Sequence, residues 1–375
     1  MTTENTKTEL LMPKGEELVL SSSPHIHVKE NVRSIMIKVL VALLPAMIAS
    51  IWFFGLAALR VLVLTTVFAI AAEAIWCKLS GKSWKTILDG SAALTGVLLA
   101  LNFSAGMPWW ICLIGAFIAI WLGKQVFGGL GHNPFNPALV ARVALLIGFP
   151  AFMTSWVPAS NMTPENSSYS QVFYAPDDFA ALQNGEIGLD AVSCATPLGI
   201  VGETKKILGN SPEAQNNFAQ VDNPEALKNY FFGNVGGCMG ETSSLALLIG
   251  GALLIFWRLI KWQIPVFYIG TVAIFTAILH YFMPGVTPSP LFHLLTGGLL
   301  LGSIFMATDM VTSPMSSLGC IIFGVGLGIL TCVIRIWGNY PEGVSFAILL
   351  MNALVPLIDR VGAIRPFGYV RRKAA

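Results

Sequence analysis

A long polar stretch interrupts a chain that otherwise consists of apolar runs, and within it the segment DAVSCATPLG, residues 190–199, gathers small side chains around a single threonine. Thr196 offers a hydroxyl that can be esterified. Ser193, Cys194 and Ala195 leave its approach open, Pro197 prevents a helix from running through, and Asp190 stands six residues upstream. By residue type alone the segment is an exposed turn. A second group, Glu241, Thr242 and Ser243, directly precedes an apolar run. These residue types cap a helix N-terminus, and the N–H groups left free there could also receive a phosphate or a carbonyl.

Three acids fall in or at the ends of apolar runs: Glu73, Asp309 and Asp359. Acids inside a bilayer are costly and tend to be functional. Glu73 and Asp309 are therefore the candidates for an ion pathway, with hydration at the membrane boundary as the plain alternative. The six cysteines form no CxxC pair and the five histidines never fall at ligand spacing, so the chain alone is not expected to hold a metal ion or an iron–sulfur cluster. Neither a phosphate-cradling loop nor a dinucleotide fingerprint occurs. A disulfide between Cys194 and Cys238, which share the polar stretch, is left open.

Composition predicts the elements that must position these residues. Of 375 residues, 55% are hydrophobic and 11% charged, which lies outside the soluble globular range and matches a chain solvated by a lipid bilayer. The net charge of +2 provides no basic surface for nucleic acid. Scanning at about twenty residues per span predicts ten helices, near residues 34–54, 57–77, 90–104, 109–128, 137–156, 243–260, 263–283, 291–308, 316–336 and 344–362. The expected fold is an all-α polytopic membrane protein. Its parts are a cytoplasmic tail (1–33), a five-helix repeat (34–156), a periplasmic loop (157–242), a second five-helix repeat (243–362) and a cytoplasmic tail (363–375). The amino-terminal tail lacks the apolar core of a cleaved signal peptide and is expected to remain. Fifteen of the 22 Lys and Arg residues fall on the side of the termini, which places both termini inside and the polar stretch outside.

LTGVLL at 94–99 recurs as LTGGLL at 295–300, and GHNP at 131–134 is answered by GNYP at 338–341. Because five helices per half is an odd number, the second half must insert upside down relative to the first, as an inverted repeat. Glycine-interrupted helices at matching positions point to a ligand site near the midplane, and close helix packing is the equally plain reading.

Asp190, Ser193, Ala195 and Thr196 resemble the signal for covalent flavinylation, in which a flavin transferase links FMN through its phosphate to the threonine hydroxyl. Cys194 stands where that signal usually has glycine. The segments SSSPHIHVKENVRSIMIKVLVALLPA, GGLGHNPFNPALVARV, GETSSLALLIGG, FMATDMVTSP and GNYPEGVSFAILLMN resemble the D subunit of the Rnf complex across nearly the whole chain. They are more distantly similar to the B subunit of the sodium-translocating NADH:quinone oxidoreductase. The resemblance implies a membrane electron-transfer subunit of an ion-translocating ferredoxin:NAD oxidoreductase in a bacterial inner membrane, not catalytic alone, with FMN in phosphoester linkage on Thr196. It implies as partners the other Rnf subunits, one of them flavin-bearing on the outer face, and a flavin transferase for maturation. Thr242 and Ser243 are weaker candidates to contact the flavin. The sequence leaves open whether a noncovalent riboflavin occupies the pocket between the halves, and whether the coupled ion is Na⁺ or H⁺. The quinone-reducing relative is one alternative; a small-solute channel or carrier, which would carry no flavin, is the other.

Overall fold

The computed structural model describes residues 30–159, 194–208, 218–283, 287–338 and 342–361. Asp190 and Ser193 lie outside the described residues.

The first apolar block forms α1, Val32–Ser80, whose start is capped by Asn31 accepting the Ser34 N–H at 2.7 Å. It is two spans fused end to end. At Gly55 the backbone takes φ 65° and ψ −146°, a conformation that side chains with a Cβ rarely tolerate, and the helix breaks there. Met36 near the start packs against Gly90, Cys77 near the end bonds Thr86, and Phe53 beside the break meets Gly233. Both ends of α1 thus lie on one face of the protein and the break on the other.

The first half continues through α2 (Ser91–Leu101), α3 (Trp109–Phe117, prolonged as a π-helix over Ile118–Gln125) and α4 (Pro137–Gly148). After α5 (Pro197–Leu208) and α6 (Pro224–Phe232) the second half runs through α7 (Ser244–Phe256), α8 (Gln263–Phe282), α9 (Pro290–Leu295), α10 (Leu299–Leu301, prolonged as a π-helix over Gly302–Met306), α11 (Ser317–Trp337) and α12 (Val344–Val361). Four of these, α1, α8, α11 and α12, are individually long and apolar enough to cross a membrane. Trp52, Leu56, Phe256 and Ile274 stand well out from the surface. Lipid rather than water must solvate such a belt. The protein is a multi-pass membrane protein, and no strand occurs among the described residues.

Packing repeats between the halves. α1 packs on α2 and α3 as α8 packs on α9 and α11, while α1 meets its counterpart α7, and α4 its counterpart α12, across the junction. At one crossing a Cβ on Gly250 of α7 would lie 2.2 Å from the Ala42 carbonyl oxygen of α1, so only glycine permits the approach.

Three expectations are corrected. The span expected over 137–156 stops at Gly148 and resumes as the turn Pro150–Met153, because Pro150 has no N–H to continue the ladder. The span expected over 291–308 is broken between Leu295 and Leu299, where Thr296 is extended and Gly297 has φ 71°. The polar stretch is no plain loop, since α5 and α6 lie in it.

Candidate functional site

The chain returns to its described course at Cys194, whose N–H donates to the Trp156 carbonyl at 2.9 Å in an isolated antiparallel bridge. This tie draws the threonine segment against the end of the first half. Pro197 then occupies the first position of α5, where a missing N–H costs nothing. Thr196 caps the helix: its Oγ1 accepts the Gly199 N–H and its carbonyl the Ile200 N–H, each at 3.0 Å. The side chain is 6% exposed. The exposed turn expected from residue type is therefore a buried helix cap, because proline begins a helix here as readily as it ends one.

Thr196 opens onto a cavity of about 680 Å³ at the junction of the two halves, within the size range of small-molecule and cofactor sites. Ala195 and Cys194 border it beside Thr196, and α4 contributes Arg142. From the second half come His293 of α9, Arg335 at the end of α11, and Glu342. Arg335 donates to the His293 carbonyl at 2.8 Å and the Thr296 carbonyl at 3.2 Å, so it satisfies oxygens freed by the break after α9. Lys205 of α5 donates to the Ile336 carbonyl at 3.1 Å, and burial pulls its pKa down. The wall is basic overall.

Behind this wall Arg142 binds Asn102, Glu342 and the Cys238 sulfur. Cys238, Glu241 and Glu342 bring ligand-type atoms within 4.8 Å of one another, a juxtaposition that the spacing of cysteines and histidines does not reveal. Arg142 already supplies that cluster with positive charge. Glu241 accepts the Cys238 N–H at 2.9 Å through Oε1 while its Oε2 is enclosed without a hydrogen-bond partner among the described residues, and burial raises its pKa. Burial also pushes the Cys194 and Cys238 thiols up to about 12. Both are free thiols, so the disulfide left open by the sequence is not formed.

Ser243 is the N-cap of α7, accepting the Ala246 N–H at 3.3 Å. Thr242 donates to the Cys238 and Met239 carbonyls and borders, together with Thr196, a void of about 20 Å³. The structure thus brings Thr242 close to Thr196 and leaves Ser243 as a cap.

The acids singled out for an ion pathway lie on the opposite face. Glu73 is not hydrated at a boundary; it is 1% exposed and paired with Lys124 at 2.5 Å. Lys124, counted by sequence among loop cations, is 2% exposed and also donates to Ser91 Oγ at 2.7 Å. Gln125 completes the cluster with a 2.8 Å bond to Glu73, whose Oε2 has no hydrogen-bond partner among the described residues. Asp309 borders a smaller cavity of about 110 Å³ with Lys124, Asn133 and Asn136, while Asp359 accepts the Met315 N–H.

Sequence reasoning missed Arg142, His293 and Arg335 as cavity residues. Their signal was present: each is a polar residue within or at the end of an apolar run, where such residues are expensive.

Residues 19–368 match the profile of the family described as NQR2, RnfD, RnfE. The chain is 45% identical over 345 residues to the D subunit of the ion-translocating oxidoreductase complex of Stutzerimonas stutzeri, covering 91% of this chain and 93% of that one. It is 40% identical over 360 residues to the D subunit of the Na⁺-translocating ferredoxin:NAD⁺ oxidoreductase complex of Acetobacterium woodii, covering 95% and 97%. To the proton-translocating counterpart of Clostridium ljungdahlii it is 41% identical over 355 residues, with the same coverage.

Proposed function

The chain belongs to the NQR2, RnfD, RnfE family, and from that premise we propose that it is the membrane electron-transfer subunit of an Rnf-type ion-translocating oxidoreductase, carrying FMN esterified to Thr196. The observation that carries the reading is the position of the Thr196 oxygen, at once the N-cap of α5 and part of the wall of the 680 Å³ cavity. A phosphoryl group on that oxygen sits at the positive end of a helix dipole. Lys205 and Arg335 reinforce the same sign, and the cavity offers room for a ring system beside them. When bound, FMN supplies one-electron redox chemistry; the protein supplies position, charge and exclusion of water. A buried Thr196 also dictates that a flavin transferase gains access through the cavity or before the segment packs.

In this reading the Thr196 face is periplasmic, both termini are cytoplasmic, and the membrane is a bacterial inner membrane. On that face Thr196 would hold the flavin within reach of a flavin-bearing partner subunit, to which it would supply one-electron transfer, with the other subunits completing ferredoxin:NAD⁺ oxidoreduction. Asp309, on the opposite face, serves the ion path; Glu73, locked to Lys124, holds that end of the protein together. Relatives named for sodium and for protons are 40% and 41% identical, so overall similarity does not choose the ion. A riboflavin between the halves has a candidate place in the 110 Å³ cavity beside Asn133 and Asn136, which would have to widen to admit a flavin ring.

The test is the linkage. Co-expressed with a flavin transferase, the denatured chain should fluoresce on a gel, Thr196→Ser should keep part of the signal and Thr196→Ala none. Mass analysis should place FMN, less one water, on the peptide spanning Asp190 to Lys205. An unmodified peptide from transferase-equipped cells would sink the proposal.

A further inference from the structure

Two side chains in the cavity wall have unused hydrogen-bonding capacity. His293 is 4% exposed, and neither Nδ1 nor Nε2 has a hydrogen-bond partner among the described residues. Leaving such groups unpaired in a buried site costs far more than a typical hydrogen bond gains. Arg335 commits its two terminal nitrogens to the His293 and Thr296 carbonyls, and its Nε–H stays enclosed and unpartnered among the same residues. Both side chains line the cavity that Thr196 opens onto.

Their placement is fixed. The His293 ring stands edge-on to Phe292 at 5.4 Å and 87°, and the Arg335 bond to the His293 carbonyl ties the end of α11 to α9. A preorganised pair of this kind selects a ligand by the pattern of its donors and acceptors. Arg335 Nε–H can only donate. An imidazole in its neutral form donates from one nitrogen and accepts at the other, so it can complement a donor beside the group that Arg335 binds. A quinone offers acceptors alone and leaves the imidazole acceptor unmet.

We propose that His293 and Arg335 are positioning residues that select a planar group carrying a carbonyl next to an imide N–H, the chemistry of the pyrimidine edge of a flavin. This rests on the flavin reading of the cavity and adds to it the residues that recognise the ring rather than the phosphate. Water filling the same atoms would satisfy them without distinguishing one ring from another.

The experiment separates recognition of the ring from its covalent attachment. The full chain carrying Thr196→Ala, purified in detergent, is titrated with free lumiflavin and with 3-methyl-lumiflavin, in which a methyl group replaces the imide hydrogen. No ester is required, so the result stands whether or not Thr196 is flavinylated; the gel assay judges that question by itself. Lumiflavin should bind roughly tenfold more tightly than its 3-methyl analogue, the cost of one buried donor–acceptor pair. Adding His293→Ala should weaken lumiflavin and bring the ratio of the two affinities to about one, since the two changes remove the same contact. His293→Asn, which keeps a donor and an acceptor, should recover part of the preference. Equal affinities while His293 is intact, no binding of lumiflavin, or a preference that survives His293→Ala would each overturn the assignment.

Discussion

The third span of each half begins from nearly the same six residues and ends in a different shape. LTGVLL continues unbroken through α2, and LTGGLL stops at Leu295 and restarts at Leu299. In the first half Ser91 of the unbroken helix completes the Glu73–Lys124 cluster, and Gly96 lets α2 lie against the α1 backbone at Thr66. In the second half the break frees carbonyls for Arg335 and places His293 on the cavity wall. One repeat therefore uses its buried charge to lock helices together, and the other uses it to border an open space. Two similar sequences part here over a glycine pair rather than over any new motif: the duplication supplies the same span twice, and local substitution decides which copy breaks.

Removing the lock should have the largest effect. Lys124→Met leaves Glu73 charged and uncompensated in a site 1% exposed, which costs about 3–5 kcal/mol. Thermal unfolding in detergent should show it, and adding Glu73→Leu should recover most of the loss. Equal stability of Lys124→Met and the parent chain would show that the pair is not a lock.

The break offers a narrower comparison between neighbours. Gly297 has φ 71°, and a Cβ there would lie 2.5 Å from Leu198 Cδ1; Gly297→Ala should cost about 1–3 kcal/mol. Gly298 has φ −69°, and a Cβ there would find its nearest neighbour, an Arg142 nitrogen, at 3.6 Å, so Gly298→Ala should stay within about 0.5 kcal/mol. Similar losses at both positions would mean that packing rather than backbone conformation holds the break open.

The spans were legible because lipid imposes a length and a polarity on each helix. Eight of the ten expected segments each coincide with one continuous helical run; 137–156 stops before Pro150, and 291–308 breaks where the glycine pair lets backbone carbonyls turn to Arg335. Thr196 could be singled out by type, but its burial could not. The antiparallel tie between Cys194 and Trp156 spans a long stretch of chain, and no local pattern announces it. The Glu73–Lys124 pair was hidden for the same reason: its members come from α1 and the π-helical end of α3, 51 residues apart. Each was visible as a charge in or beside an apolar run, and only the fold shows that the two charges meet.

Thr196→Ala should have a modest effect on the fold. The substitution removes the hydroxyl that accepts the Gly199 N–H, a cap loss of about 1 kcal/mol, while the cavity and the junction of the halves keep their other contacts. Unfolding should therefore shift slightly even in cells without a flavin transferase. A shift confined to transferase-equipped cells would show that the flavin, and not the cap, supplies the stability.

The smallest expected effect is a pH dependence at the junction. Burial raises the Glu241 pKa above its ordinary 4.5, with Arg142 opposing. Below 4.5 the carboxyl is protonated whether the chain is folded or not, and it costs the fold nothing as a charge. As pH rises the unfolded chain releases this proton first, so stability falls until the pH has passed the raised folded value and then levels off. Glu241→Gln has no proton to release. The difference in unfolding midpoint between the parent chain and Glu241→Gln should therefore move in favour of the variant as pH climbs from 4.5 toward neutrality, while Glu342→Gln, which strips Arg142 of its partner carboxylate, should lower stability at neutral pH. A midpoint difference that does not change with pH would mean that folding leaves the proton affinity of the Glu241 carboxyl unchanged, and a difference that moves in favour of the parent chain would mean that the site favours its charge and that the Arg142 cluster, like the Glu73–Lys124 pair, is a lock rather than part of an open wall.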